Sequence, residues 1–569
     1  MAELQTRLLL NTDEIAGLRR DLFAELHRIL QKGILEGRRH PSGDPVAGTR
    51  DRMAGSRCQA ALALSHDSRP VVGIDPTETA LAPPSGRRLV SAKTRDLASA
   101  EAFCRAVVGR IINPLKDGDL SFDPPDLFAK GKNPGLHPVR GPGNVAQMPK
   151  ALRGQYRPIF QHGLRDRVIL GWIERQLTEA FDPHFSDCSY AFRRRLSRRR
   201  AKGGAEPEST AESLPLPCRR CPERLGRCDI QRIVAERAGM ENHITARLAL
   251  RNVMRWIPEN PWIYRGDIRK FFDSIPHSTL MAKVGGRVGN PVVHFLLGRY
   301  LDAATRAMRT FEGSHPPGRG ILHGSAVSGI LSNIFLDGID KSIGKHRIRY
   351  LRYVDDILVM ASSRERLEAN QSTIHSLLAE NSLRLNSGAG KEAWACLDPG
   401  IGDAGGFDRD FDYLGFHFST AGDSIGIRIR DRSIERFKCR IQDLIRRAAR
   451  RQRPGLGDTE ALECRMKEMV ILANIAMGFR PRRIEGMIRH VFDVHRGWPG
   501  FFLGTHQNEA VRGQMRSLDR YIRDGIRHAV LGAGAAHQGP AEVREFNRRL
   551  AGLGLQSMPL GRWRDRQTG

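Results

Sequence analysis

Two adjacent aspartates, Asp355 and Asp356, lie between two apolar runs in the segment RYLRYVDDILVMASS, residues 349–363. Neighbouring carboxylates in an apolar segment are costly, because burial and mutual repulsion both disfavour the charged forms. A hard cation such as Mg²⁺ offsets that cost, since it binds carboxylate oxygens and neutralises their repulsion. Asp267, at the end of WIYRGD, is the natural third ligand. Together these residues indicate a two-metal phosphoryl-transfer site, and a polar hairpin turn is the alternative for the aspartate pair.

The segments around the aspartates predict a mixed sheet. IRYLRYV and ILVMAS are β-prone runs on either side of the pair, NPWIYRGDIRKFFDSI predicts a strand and a turn, and FDYLGFHFS predicts another short strand. GILHGSAVSGILSNIFLDGIDKSI predicts a loop followed by a helix, and RERLEANQSTIHSLLAE predicts a helix. The order strand, helix, strand-turn-strand, helix, strand indicates an α+β sheet of the split-βαβ type.

The flanking segments are less uniform. Residues 1–40 have helical spacing of leucines, whereas residues 40–150 are rich in Gly, Pro and Ser and predict loops without an assignable fold. The polar stretch 196–241 is typical of an insertion. From about residue 437 the chain is very basic and is predicted to be helical, including the segment MIRHVFDVHRGWPGFF.

The composition indicates a globular protein with an acidic partner. The 569 residues include 91 Lys and Arg against 63 Asp and Glu, which gives a net charge of +28 and suits a polyanion such as nucleic acid. No run approaches the length of a membrane span, and the N-terminus lacks the pattern of a secretory signal. Nine scattered cysteines are typical of a reduced, intracellular protein, so we expect a cytoplasmic location.

Several ordered segments resemble the sequence blocks of reverse transcriptases. RGDIRKFFDSIPHSTL is similar to the first palm motif, YVDD to the catalytic box, and GILHGSAVSGILSNIFLDGID to the block between them. RPIFQHGLRDRVI and SYAFR resemble the fingers motifs, SLRLNSGAGK and DYLGFHFS the blocks after the catalytic box, and RGWPGFF with LDRYIRDGIR the thumb of group II intron-like enzymes. The resemblance covers roughly residues 145–530.

The resemblance implies an α+β right-hand polymerase with fingers, a split-βαβ palm and a helical thumb. We expect an N-terminal extension at 1–144, fingers at 145–254 with the insertion at 196–241, a palm at 255–425, and a basic helical thumb and C-terminal region at 430–569. Roles in this family would make Asp267, Asp355 and Asp356 the catalytic carboxylates that hold two Mg²⁺ ions.

The same resemblance assigns four residues to the incoming nucleotide. Phe272 would be the aromatic gate that excludes a 2′-hydroxyl, with a plain core aromatic as the alternative. Arg157, assisted by Arg153, would clamp the triphosphate, with a solvated surface charge as the alternative. Lys391 lies near the position at which this family has the lysine that protonates the leaving pyrophosphate. His323 replaces the usual glutamine and could stack, donate a hydrogen bond or titrate near neutral pH.

One departure from the family pattern concerns the block before the catalytic box. The usual Pro-Gln-Gly is Leu322-His323-Gly324 here, and the usual Ser-Pro is Ser328-Gly329. This departure points away from a standard mobile-intron enzyme and towards a divergent branch such as the defence-associated reverse transcriptases.

Three cysteines within the insertion, Cys218, Cys221 and Cys228, have the spacing C-x2-C-x6-C. That spacing is typical of part of a structural Zn²⁺ site, for which Cys188 or His243 could supply the fourth ligand. A loop with free thiols is the alternative. The run RRAARRQR at 446–453 indicates either a nucleic-acid backbone contact or a solvated helix end.

The sequence therefore predicts an RNA-directed DNA polymerase that acts on an RNA template, a DNA primer and product, and dNTPs. A non-coding RNA or a partner protein are candidate further partners, and no membrane is expected. We expect a role in anti-phage defence. A retroelement or group II intron-type enzyme, and a catalytically silent RNA-binding scaffold, are the alternatives.

Overall fold

The computed structural model describes most of the chain between residues 12 and 557. The described residues are 12–36, 97–132, 136, 139–140, 154–193, 246–312, 315–387, 391–401, 404–421, 424–450, 458–484, 487–492, 502 and 508–557. No helix within them is long and apolar enough to span a bilayer. The predicted insertion lies outside the described residues, and with it the candidate zinc ligands Cys218, Cys221, Cys228 and His243. Arg153 also lies outside them.

Among the described residues up to 193, three α-helices and a small antiparallel sheet come first. The helices α1 to α3 are Thr12–Glu36, Leu97–Lys116 and Leu164–Phe181, and the strands β1 to β3 are Asp126–Gly131, Val139–Arg140 and Tyr156–Gln161. The helices pack on one another, with Leu22, Ile111 and Ile173 fully buried in one hydrophobic core. Strand β1 lies between β2 and β3. Because β1 belongs to the predicted N-terminal extension and β3 to the predicted fingers, this sheet joins the two across the predicted boundary at residue 144.

A four-stranded antiparallel sheet forms the palm. Its strands are β4 (Trp262–Asp267), β5 (Arg349–Tyr353), β6 (Asp356–Ala361) and β7 (Ala393–Cys396), in the spatial order β5-β6-β4-β7. Side chains alternate between the two faces of a strand. Accordingly, Ile357 and Val359 of β6 enter the first core, whereas Leu358 and Met360 enter a second one. This topology confirms the predicted α+β fold of split-βαβ type.

Helices connect the strands of the palm. Helix α4 (Ala246–Trp256) leads into β4, and α5 (Phe271–Ser274), α6 (His277–Gly285), α7 (Pro291–Glu312) and α8 (Ser328–Lys345) lie between β4 and β5. Helix α9 (Arg364–Glu380) lies between β6 and β7, and its N-cap is Ser363, whose hydroxyl accepts a hydrogen bond from the Arg366 N–H at 3.4 Å. The predictions of helices at α8 and α9 are confirmed.

The segment FDYLGFHFS forms two strands, so the prediction of a single strand was wrong. Strands β8 (Asp410–Tyr413), β9 (Phe416–Ala421) and β10 (Ser424–Ile429) make a separate sheet in the order β10-β9-β8. Leu414 and Gly415 turn the chain with φ of 46° and 89°, which suits a two-residue hairpin. Because Leu414 and Gly415 do not interrupt the pattern of apolar residues, the sequence gives no sign of this turn. Strand β7, and not FDYLGFHFS, completes the palm sheet.

The described residues after β10 are helical, apart from one hairpin. Its helices are α10 (Asp431–Ala449), α11 (Asp458–Met477), α12 (Glu509–Leu531) and α13 (Pro540–Gly552), and Phe437, Met469 and Leu518 are buried where they pack in the second core. Strands β11 (Phe479–Ile484) and β12 (Met487–Phe492) pair antiparallel. The helical prediction was wrong at β11 and β12, because Pro481 within β11 disfavours a helix and MIRHVF in β12 is rich in β-formers.

Candidate active site

The register of the palm sheet brings the three predicted aspartates together. Asp267, the last residue of β4, lies directly opposite Asp356, the first residue of β6. One residue later, the Ile268 N–H donates to the Asp355 carbonyl at 3.0 Å. Asp267 and Asp355 are therefore 88 positions apart along the chain but neighbours in the fold. The site combines the end of one strand with the turn of the adjacent hairpin.

The turn that carries Asp355 has an unusual backbone. Tyr353 pairs with Asp356, so only Val354 and Asp355 form the turn. Val354 has φ of 63°, in the left-handed region that a β-branched residue rarely adopts. Such a conformation costs about 1–3 kcal/mol and persists only where neighbouring groups hold it. The strain occurs directly beside the carboxylate pair.

Arg352 fixes this turn through the hydrogen bonds of its buried guanidinium group. Its Nη1 donates to the Val354 carbonyl at 2.9 Å, its Nε to Asp340 at 2.9 Å, and its Nη2 to the Ser189 hydroxyl at 2.9 Å. The side chain is 1% exposed. A buried guanidinium with a carboxylate partner and further acceptors is well satisfied. It ties the turn to helix α8, which carries Asp340, and to the segment before Arg193. Sequence analysis missed this role.

Arg265 and Asn386 orient two of the aspartates. Arg265 lies two residues before Asp267 on the same face of β4, and it binds both carboxylate oxygens of Asp356, with Nε to Oδ1 at 2.9 Å and Nη2 to Oδ2 at 3.2 Å. Asn386 donates from Nδ2 to Asp267 Oδ2 at 2.8 Å, and its N–H donates to the Asp267 carbonyl at 2.8 Å. Sequence analysis missed both residues, although the alternation of β4 gives a signal for Arg265.

The environment disfavours negative charge at the two adjacent aspartates. Burial and, next, the carboxylate of Asp267 raise the pKa of Asp355 to about 7. Burial also raises the pKa of Asp356, and the Arg265 guanidinium opposes that rise. Charged and neutral forms of Asp355 are therefore balanced near neutral pH, and a cation beside it would favour the charged form.

Comparisons with known proteins agree with this geometry. A sequence profile of the family described as "Reverse transcriptase (RNA-dependent DNA polymerase)" matches residues 148–418, which contain all three aspartates.

Residues 148–418 form a reverse transcriptase domain.

Individual relatives resemble the chain over part of their length. Protein YkfC of Escherichia coli is 22% identical over 278 residues, which is 43% of this chain and 60% of that protein. A putative COX1/OXI3 intron 2 protein of Saccharomyces cerevisiae is 35% identical over 98 residues, 17% of this chain and 11% of that protein. The chain thus spans less than two thirds of either relative. The structure of apo telomerase from Candida tropicalis has a TM-score of 0.32 at 11% identity, covering 93% of this chain and 84% of that one.

The carboxylates at the end of β4 and in the adjoining turn are chemically suited to bind a divalent cation. Asp267 and Asp355 offer carboxylate oxygens that repel each other, and Mg²⁺ prefers such ligands. Within the described part of the chain, no three His, Cys, Asp or Glu side chains form a ready metal centre. Arg265 takes both oxygens of Asp356. Asp267 and Asp355 are therefore the carboxylates best suited to receive a cation.

Cys188 is partly buried, and its thiol donates to the Ser186 hydroxyl at 3.2 Å. Burial raises the pKa of this thiol in the metal-free protein. The other candidate zinc ligands lie outside the described residues, so the zinc role of Cys188 stays a prediction.

Phe272 and His323 form a stacked pair in the reverse transcriptase domain. Their ring centroids lie 4.4 Å apart with an interplanar angle of 30°, and Phe272 is 8% exposed. Burial, with help from Arg157 and Lys132, lowers the pKa of His323 to about 4. His323 is therefore neutral at pH 7, and the expectation that it titrates near neutral pH was wrong. The His323 ring stacks on Phe272, and its contact with the incoming nucleotide stays a prediction, as does the gate role of Phe272.

Three basic side chains converge near the aspartates. Burial and then the charges of Lys391 and Arg157 lower the pKa of Lys132, and the charge of Arg157 also acts on Asp355. Arg157 lies on β3 and is exposed. Lys132 follows β1, next to the register pair of Lys130 with Arg157. The structure thus brings the predicted Arg157 and Lys391 to one place and adds Lys132, which sequence analysis missed.

The thumb helix α10 contacts Lys132, the residue that follows β1. Arg432 and Arg436 both donate to the Lys132 carbonyl, at 3.3 Å and 2.6 Å. Cations from β3, from the end of β1 and from helix α10 therefore gather around Lys132, which suits a polyphosphate or a nucleic-acid backbone.

Proposed function

We propose that the chain is an RNA-directed DNA polymerase. The 3′-hydroxyl oxygen of a primer forms a bond to the α-phosphorus of a dNTP, the bond to the β-phosphate oxygen breaks, and the hydroxyl proton and pyrophosphate leave. The observation that carries this proposal is the register of Asp267 opposite Asp356, with Asp355 in the adjoining turn, inside a reverse transcriptase domain.

Asp267 and Asp355 are proposed to hold Mg²⁺. Two divalent cations, when bound, stabilise charge on the attacking and leaving oxygens of phosphoryl transfer. Asn386 keeps the Asp267 carboxylate in place. Asp356, paired with Arg265, supplies negative charge to the site from a fixed position. Positioning by these rigid contacts is a large part of catalysis in nucleotidyl transfer.

The basic groups are proposed to bind the triphosphate. Arg157 offers a planar fork for two phosphate oxygens, and Lys391 and Lys132 add point charges nearby. Mutual repulsion among the three cations is relieved when a polyanion binds between them. Lys391 is the proposed donor of a proton to the leaving pyrophosphate.

The Phe272–His323 stack is proposed as the wall beneath the sugar. Since Phe272 is held by the flat face of His323, the wall is rigid and excludes a 2′-hydroxyl by size. Phe272→Val would then raise the use of rNTPs relative to dNTPs, measured as the ratio of kcat/KM values. An unchanged ratio would show that Phe272 is core packing alone.

The biological role is proposed to be anti-phage defence, with an RNA template and with a non-coding RNA or a protein as further partner, in the cytoplasm. The departures at His323 and Gly329 support a branch distinct from mobile introns. Sequencing the nucleic acids that co-purify with the protein tests this role. Products copied from an RNA that flanks the gene would instead support a retroelement or intron function.

The polymerase activity is tested by primer extension. The purified chain, a DNA primer on an RNA template, dNTPs and Mg²⁺ should give extended primer, and Asp267→Asn and Asp355→Asn should each remove it. Asp410→Asn is the matched control, because this exposed carboxylate at the start of β8 should not matter. RNA binding without incorporation under any of these conditions would favour the catalytically silent scaffold.

A further inference from the structure

A surface pocket lies at the far end of the palm sheet from the aspartates. It has a volume of about 500 Å³ and is lined by Asn252, Arg255, Trp256, Glu259 and Arg349. Helix α4 supplies three of these residues, and Arg349 begins strand β5. Arg349 and Tyr353 mark the two ends of β5, about 13 Å apart at 3.3 Å per residue. The aspartate turn follows Tyr353, so this pocket is separate from the candidate active site.

The pocket combines an aromatic face with cations. The Arg349 guanidinium lies over the Trp256 ring, 5.4 Å from its centroid. Arg255 and Arg349 are exposed, and Trp256 is partly buried. The exposed segment next to Arg349 adds further basic residues in the sequence KHRIR, residues 345–349. Aromatic and guanidinium planes beside positive charge are the features that stack bases and neutralise phosphates.

The remaining lining residues offer hydrogen-bond acceptors. Asn252 uses its Nδ2 to donate to the Tyr190 hydroxyl at 2.6 Å, which fixes the amide and leaves its Oδ1 for a ligand. Glu259 is exposed on the rim and carries carboxylate oxygens that accept from the amino groups of bases. The pocket therefore presents cations for a phosphate, planes for a base and acceptors for a base edge.

We infer that this pocket binds an unstacked nucleotide of single-stranded nucleic acid, at a site additional to the candidate active site. The base stacks against the Trp256–Arg349 pair, and the flanking phosphates contact Arg255 and the basic residues beside Arg349. A single strand fits better than a duplex, because its bases are free to leave the stack. The strand so bound would be anchored at the opposite end of the palm from the site of synthesis.

The test is binding of a fluorescently labelled 20-nucleotide single strand to the full chain, measured by anisotropy without dNTPs at several salt concentrations. Trp256→Ala should weaken binding about tenfold, which lies within the range for loss of one base stack. Arg349→Gln should weaken binding and reduce the slope of log K against log salt by about 0.7, as for one lost contact to a single-stranded phosphate. Arg548→Gln is the matched control, because it removes one exposed arginine from helix α13.

The outcomes separate clearly. Trp256→Phe should bind within twofold of the unchanged chain, because a phenyl ring still stacks. If Trp256→Ala fails to fold, the variant Arg349→Gln, at an exposed position, decides the question through its slope of log K against log salt. Parallel RNA and DNA strands of one sequence show which of them the pocket prefers. Equal effects of Arg349→Gln and Arg548→Gln, or binding by Trp256→Ala equal to that of the unchanged chain, would overturn the inference. Neither result depends on whether the chain polymerises DNA.

Discussion

Replacing Asp355 by asparagine should stabilise the metal-free protein at pH 8. Burial and the neighbouring Asp267 carboxylate raise the pKa of Asp355 from 3.8 to about 7. A carboxyl whose pKa rises on folding contributes stability that is fully present below its unfolded pKa and is lost as the pH rises through the folded value. The loss therefore extends from about pH 4 to about pH 7. Asparagine has the same shape and carries no charge to lose.

The size of the effect follows from the shift. About three pH units at 1.36 kcal/mol each give about 4 kcal/mol, and partial exposure of Asp355 to solvent halves this to about 2 kcal/mol. For a cooperative unit the size of residues 148–418, an entropy of unfolding near 2.1 cal/mol/K per residue converts this into a rise in Tm of about 3–4 °C.

Differential scanning fluorimetry in EDTA measures this rise. The Tm difference between Asp355→Asn and the unchanged chain should be near zero at pH 4 and reach its full value above pH 7. Added Mg²⁺ should raise the Tm of the unchanged chain and reduce or reverse the difference, because a cation favours the charged carboxylate. The exposed Asp410→Asn is the control and should show no pH-dependent difference. A lower Tm for Asp355→Asn at pH 8 in EDTA would refute the reasoning.

Three further predictions concern residues around the aspartates. Arg265→Gln should destabilise the domain by about 1–3 kcal/mol in urea unfolding, because it leaves the Asp356 charge without its bidentate partner; Arg516→Gln, which removes an exposed arginine, should cost far less. His323→Gln should leave the pH profile of primer extension unchanged in shape from pH 5.5 to 8, because the imidazole is already neutral there; a lost inflection would contradict this. Arg352→Met should cost about 3–5 kcal/mol by leaving Asp340 charged and buried, and adding Asp340→Asn should recover part of the loss in the same unfolding assay.

The sequence predicted the parts of the site that depend on local pattern. β-prone runs on both sides of Asp355 and Asp356 indicated a hairpin, and the hairpin is there. The strand predicted at WIYRGD placed Asp267 at its end as a third carboxylate, and the resemblance to a known family supported that choice. The strand register then brings these residues together. Their catalytic roles stay predictions, as do those of Arg157, Phe272 and Lys391.

The contacts that hold the site could not be predicted. Arg352 is one of 91 basic residues in the chain, and an arginine in a strand gives the same pattern whether it is buried or solvated. Its partner Ser189 lies 163 residues away. The neutral state of His323 likewise depends on burial against Phe272 and on nearby cations, which only the folded chain reveals.

Local pattern also failed where turns were short or strands were basic. The two-residue turn at Leu414 and Gly415 lacks the Asn-Gly signal that marks many tight hairpins, so two strands were taken for one. The basic residues around β12 favoured a helix in a region that is otherwise helical. Pairing with β11 outweighed that local preference.

The central claim is that Asp267 and Asp355, remote along the chain, jointly hold the divalent cations of a polymerase. Titration of the purified chain with Mn²⁺, followed by the loss of the free-ion signal in electron paramagnetic resonance, tests it most directly. Asp267→Asn and Asp355→Asn should each weaken the tightest site by about tenfold or more, and Asp410→Asn should bind like the unchanged chain. Equal Mn²⁺ affinity in all four proteins would contradict the claim.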